Sequence, residues 1–151
     1  EAIVFDDQND LIKAFQDGQL EKDFVAVIPF QGPQHKGMPE LHKLTPTLTI
    51  LQKRGFKVAL ITDGRMSGAS GKVPAAIHVS PEASTGGVIG KIKTGDRITL
   101  DASSGLFSCL EKGIENRPNR TVKYDDISHG RQLFKNLRGL ISESEKGAGI
   151  L

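Results

Sequence analysis

The chain is short of cysteine, of aromatics and of long apolar runs, and each shortage excludes something. A single cysteine, Cys109, stands in 151 residues. It rules out an internal disulfide and cannot alone hold a zinc ion or an iron–sulfur cluster. It suits a reducing compartment, so a cytoplasmic location is expected. Trp is absent and the aromatics together make 5% of the chain, which leaves little for nucleobases to stack on. Lys and Arg number 20 against 18 Asp and Glu, a net charge of +2. That balance carries no nucleic-acid footprint, and it neither favours nor excludes a small anionic substrate. No apolar run reaches membrane-spanning length, and the opening Glu1-Ala2-Ile3-Val4 lacks the shape of a signal peptide. Neither a membrane nor a nucleic-acid partner is therefore expected. An initiator Met is also missing, and the chain is read as a piece of a longer protein.

What is present suits one α/β domain over residues 1–151. Apolar content of 37% and charged content of 25% are ordinary for a globular chain, and the length is enough to bury a core without staples. Ala2 to Phe5 reads as a strand. Asn9 is placed to cap a helix running to about Asp17, with Gly18 as its stop. Phe24 to Phe30 is a second strand, followed by the breaker-rich loop QGPQHKGMPEL at 31–41. Thr45-Pro46 predicts a helix over 46–54 ending at Gly55, and Phe56 to Thr62 predicts a third strand. Beyond it, 75–79, 87–91, 96–101 and 106–110 read as short strands, with a hairpin turn at Lys93-Thr94-Gly95-Asp96 and an edge strand at 122–124. The segment 130–142 has Leu133, Phe134, Leu137, Leu140 and Ile141 at helical spacing. Residues 146–151 read as a loose end.

The sharpest feature is TDGRMSGASGK at 62–72, directly after the apolar run Val58-Ala59-Leu60-Ile61. A buried strand delivering polar side chains into a glycine-rich loop is a common way to build a site. If strands 24–30 and 56–62 lie parallel in one sheet, the loops after both emerge at the same carboxyl edge, where open α/β sheets bind ligands. Glu40 and Ser67, far apart in sequence, would then share a rim. On residues alone the bland readings stand beside the sharp ones. Ser67 in a glycine-rich loop is a turn former, and Pro39-Glu40 is a helix opener near a favourable dipole. Arg65 has a fork suited to a carboxylate or phosphate, or it pairs with Asp63 and shapes the loop. Gly68, Ser70 and neighbouring amides form an anion cradle or a plain turn. Asp63 and His78 read as structural, and Cys109 as a small buried hydrophobe.

Five segments point further: AIVF at 2–5, GMPEL at 37–41, VALITDGRMSG at 58–68, HVSPEA at 78–83 and GGVIGKIKTGDRITLD at 86–101. Together they resemble the C-terminal domain of the dihydroxy-acid and 6-phosphogluconate dehydratase family. HKGMPELHKLTP at 35–46 is more similar to the 6-phosphogluconate branch. The resemblance implies a swivelling β/β/α-type domain with a β-rich, partly opened barrel and flanking helices. It implies a hydro-lyase that removes water from a 2,3-dihydroxy acid to give a 2-keto-3-deoxy acid. For this branch the substrate would be 6-phospho-D-gluconate, in the Entner–Doudoroff pathway.

An N-terminal domain outside this chain would supply the cysteines of an iron–sulfur cluster, expected as 4Fe–4S, and further magnesium ligands. The full-length enzyme would be a homodimer, and the isolated piece inactive. Ser67 matches the serine that takes the C2 proton as an alkoxide, and Glu40 matches a carboxylate that ligates Mg2+. Arg65, Gly68 and Ser70 are then candidates for substrate binding. His35, Lys36, His42 and Lys43 either recognise the 6-phosphate or form a solvated loop. Two rivals stay open: a dihydroxy-acid or other sugar-acid dehydratase, and a non-catalytic swivelling or binding module.

Overall fold

The computed structural model describes residues 1–66, 71–122 and 129–150, with residues 129 and 131 described by backbone only. Ser67, Gly68 and Ser70 therefore lie outside the described residues, as do positions 123 and 124 of the expected edge strand.

Four strands, β1 (Ala2–Val4), β2 (Phe24–Ile28), β3 (Val58–Thr62) and β4 (Ala75–Ala76), form one sheet in the order β1-β2-β3-β4. Every pairing is parallel, with Val25 opposite Ala59 and Ile3 opposite Ala26. Parallel strands are covered on both faces, which is why β2 and β3 read as unbroken apolar runs. Side chains alternate between the two faces. Phe24, Ala26, Ile28, Val58 and Leu60 pack on helices α1 (Gln8–Gln16) and α2 (Leu44–Lys53) through Leu11, Leu44, Leu48 and Leu51. Ala2, Val27 and Ile61 face a second cluster built from Phe30, Ala83, Ile89, Ile92 and Ile114. The four helix leucines are fully buried, each stabilising the fold by roughly 1.5–3 kcal/mol relative to exposure.

A separate antiparallel hairpin, β5 (Ile98–Asp101) and β6 (Leu106–Cys109), places Cys109 opposite Ile98. Cys109 is half-buried and packs at the margin of the second cluster. The architecture is thus mixed α/β with a parallel sheet and a small antiparallel one, and among the described residues no strands close into a barrel. The short helices α3 (His129–Leu133) and α4 (Lys135–Arg138) follow.

Several expectations need correction. Asp7, not Asn9, caps α1: its side chain accepts from the Asn9 amide while Asp10 reaches back to the Asp7 amide, a reciprocal box. Helix α2 begins at Leu44, with Lys43 at its cap and no side-chain capping bond. Pro46 falls inside the first turn, where its missing N–H leaves nothing unmet. Residues Val88–Lys91 form a 3-10 turn rather than a strand. The turn at 93–96 does form, with the Asp96 amide donating to the Lys93 carbonyl. It leads into β5 and docks on β1, whose Ala2 amide donates to the Asp96 carbonyl at 2.7 Å. The single helical stretch expected over 130–142 is two short helices instead, and Leu133, Phe134, Leu137 and Leu140 are exposed. The tail is not loose throughout: a 3-10 turn spans Ser144–Lys146, and Ser142 and Gly149 exchange bonds of 2.8 and 3.0 Å.

Candidate functional site

Because β2 and β3 run parallel, the loops after both leave at the same edge of the sheet. At that edge Glu40 and Arg65 form an isolated parallel bridge, with the Leu41 amide donating to the Arg65 carbonyl at 3.3 Å. The GMPEL segment and the start of the glycine-rich loop therefore lie side by side. Arg65 Nη1 sits 3.1 Å from Glu40 Oε2, and Arg65 Nε donates to the Met38 carbonyl at 2.8 Å. The pair is accessible, the Arg65 side chain 49% and the Glu40 side chain 23% exposed. Glu40 does not open a helix; it occupies an extended position before α2. Arg65 pairs with Glu40, not with Asp63.

Asp63 is fully buried. One of its oxygens accepts from the Gln31 amide at 2.8 Å, and the other from the amides of Phe30 and Ala83 at 3.1 and 2.9 Å. Burial raises the Asp63 pKa above the ordinary aspartate value, with the amides of Ala83, Gln31 and Phe30 opposing and nearby Glu82 adding to the rise. Its place is structural: it binds the end of β2 to the PEA segment. Glu82, 1% exposed, accepts from the amides of Gln34 and His35 at 3.0 Å each and from the Ser84 hydroxyl. Sequence reasoning gave Glu82 no role, since a Pro-Glu pair in a turn-rich stretch carries no periodic signal. Gly64 permits the close approach of the two loops, because a Cβ there would lie 2.6 Å from Gln31 Cβ.

The four basic residues of the GMPEL loop separate into two pairs. His35 is half-buried and meets Phe30 in a tilted ring contact, centroids 5.2 Å apart and planes at 59°. Burial pushes its pKa below the usual imidazole range, Glu82 opposing and Lys36 and Arg138 adding to the fall. The Lys36 side chain, 12% exposed, meets Asp7 at 2.7 Å. His42 and Lys43 are exposed. The His78 amide donates to the Gly64 carbonyl at 2.9 Å. Phe30, Met38 and His78 all hold left-handed backbone at φ 62°, 51° and 55°. Bulky residues adopt that conformation at a cost of order 1–2 kcal/mol each, and all three sit where segments turn at the carboxyl edge.

Glu40 suits a hard cation as one oxygen donor. It does not make a complete metal site: among the described residues no three His, Cys, Asp or Glu side chains gather to hold a metal. The one cysteine does not fit an iron–sulfur cluster.

Residues 1–148 match the family described as dihydroxy-acid/6-phosphogluconate dehydratase C-terminal. The chain is 53% identical to a phosphogluconate dehydratase of Pseudomonas aeruginosa, over 96% of this chain and 24% of that protein. It is 51% identical to one of Helicobacter pylori, over 97% and 25% respectively. One of Escherichia coli is 46% identical over 97% and 25%. The chain thus spans about a quarter of the length of these relatives. A rim assembled from GMPEL and TDGRM, and a match that runs from residue 1 to residue 148, place this chain in the dihydroxy-acid/6-phosphogluconate dehydratase C-terminal family.

Proposed function

We propose that the chain works as the C-terminal, swivelling domain of a dehydratase that converts 6-phospho-D-gluconate to 2-keto-3-deoxy-6-phosphogluconate, an Entner–Doudoroff step. The observation that carries this is the Glu40–Arg65 bridge, which sets the GMPEL carboxylate beside the loop leading to Ser67. The names of the three relatives favour the phosphorylated substrate.

In this reading Ser67 takes the proton from C2, the hydroxyl at C3 departs, and the resulting enol becomes the ketone. A serine hydroxyl is a poor base in water. Neighbouring positive charge favours its ionised form, and Arg65 stands two residues away. Glu40 provides one oxygen donor toward magnesium, with Arg65 holding the carboxylate in place. Magnesium, when bound, stabilises the negative charge that grows beside the substrate carboxylate as the C2 proton leaves. Cluster ligands, further magnesium ligands and a second copy of the chain come from outside these residues, and no step here is assigned to the cluster.

The test is Ser67→Ala in the full-length enzyme. A well-placed general base contributes about 10²–10⁴ in rate, so turnover should fall by that factor while folding is unchanged. Near-normal turnover of 6-phosphogluconate would remove Ser67 from the mechanism. Turnover by the 151-residue chain alone would show that the rest of the protein is not needed.

A further inference from the structure

We propose that Glu82 is a positioning residue for Glu40, acting through the loop that separates them; this rests on the reading of Glu40 as a magnesium ligand. Glu82 lies in the PEA segment after β4, remote in sequence from GMPEL. Its carboxylate is almost wholly buried, which is costly unless its lone pairs are used. They are used on two consecutive loop amides: Oε2 accepts from Gln34 and Oε1 from His35, each at 3.0 Å. The Ser84 hydroxyl donates to Oε1 from the other side.

Gly32 makes this approach possible. A Cβ at position 32 would lie 2.6 Å from both Cδ and Oε2 of Glu82. The Gly32 carbonyl then accepts from the amides of Lys36, Gly37 and Met38 at 3.0, 3.0 and 3.4 Å, closing residues 32–38 into a compact ring. Met38 is the exit of that ring, and its carbonyl accepts from Arg65 Nε at 2.8 Å. The same guanidinium holds Glu40 at 3.1 Å. An unbroken series of short contacts thus runs from Glu82 through the ring to Glu40. Consecutive amides aimed at one point are an anion cradle of the kind that takes phosphate. Here the protein's own carboxylate fills the cradle, so those amides serve the loop's shape rather than the substrate.

The experiment uses the full-length dehydratase carrying Glu82→Gln, with Glu40→Gln as its companion. Glutamine keeps the shape but turns an NH2 group toward an amide that needs an acceptor. Groups that orient a metal ligand typically change metal affinity by 10–100-fold. The Mg2+ concentration for half-maximal turnover should therefore rise about tenfold in Glu82→Gln, with the KM for 6-phosphogluconate little changed. In metal-free protein, amide hydrogen exchange should quicken across 34–41 while β2 and β3 keep their protection.

A wild-type Mg2+ response in Glu82→Gln beside an impaired Glu40→Gln overturns the positioning role alone, even if exchange quickens. Unchanged exchange across 34–41 overturns it too. A Mg2+ response that Glu40→Gln leaves unaltered removes Glu40 as the ligand, and this proposal with it. If Glu82→Gln does not fold, Ser84→Ala removes one hydroxyl from the same carboxylate. It should shift both readouts in the same direction by less, and wild-type values for both would overturn the proposal.

Discussion

The carboxyl edge of the sheet has a floor and a lip, and the same functional group lives in both. On the floor, Asp63 is fully buried and bound by three backbone amides. On the lip, Glu40 is still partly open to solvent and leans on an arginine that is half exposed. A sealed carboxylate with several fixed donors cannot change partners without stranding one of them. A half-open carboxylate paired with a solvent-exposed guanidinium exchanges partners at smaller cost, because water can replace what is lost. Depth and donor type separate the sealed acid from the accessible one.

The contrast is most exposed to refutation on the floor. Asp63→Ala strands three buried amides, each worth about 1–3 kcal/mol when unmet. Urea unfolding should show a loss of about 3 kcal/mol or more, and a loss below about 1 kcal/mol would mean the floor is not built as described.

A second test uses opposite responses to pH. Burial holds the Asp63 pKa above the ordinary 3.8, against its amide donors. A raised carboxyl contributes stability that is complete below 3.8 and disappears as pH rises through the folded value. Asp96 shows the reverse. Burial pushes its pKa up, but the hydrogen bond from Arg117 and the Lys93 amide outweigh that and hold it below 3.8. Its contribution is complete above 3.8 and disappears as pH falls through the lowered value. The deficit of Asp63→Asn should shrink as pH rises above 3.8, and that of Asp96→Asn should grow as pH rises towards 3.8 and then hold level. Parallel trends in a pH series of urea midpoints would break the distinction.

The smallest effect is expected on the lip. Exposed ion pairs are worth about 1 kcal/mol or less, so Arg65→Ala should unfold within that margin of the parent while impairing turnover in the full-length enzyme. A much larger stability loss would move Arg65 to the floor.

How much of this was legible beforehand differs from segment to segment. β2 and β3 were plain because a strand covered on both faces must be apolar throughout, and the pairing of their following loops came from parallel topology alone. The structural place of Asp63 was anticipated, but not its donors, since backbone amides leave no trace in a sequence. Of the two readings of Arg65, the pairing with Asp63 is replaced by one with Glu40, a bridge that depends on how Met38 turns the chain. Val88–Lys91 looked like a strand because Val and Ile favour one, yet it coils into a 3-10 turn beside a crowded glycine. A Cβ at Gly87 would lie 1.8 Å from the Pro81 carbonyl oxygen, a contact no local propensity reveals. Helical spacing at 133–141 gave helix up to Arg138, in two pieces, but not the exposure of its apolar side chains.

The three amides on Asp63 also tie the completion of this edge to a residue made late. A polypeptide emerging from the ribosome presents Phe30, Gln31 and Asp63 well before Ala83, and domains acquire structure as synthesis proceeds. Until residue 83 appears, one oxygen of Asp63 lacks one of its two donors and the edge stays unfinished. A nascent chain halted before that point would lack both the completed rim and the residues that cover one face of the sheet.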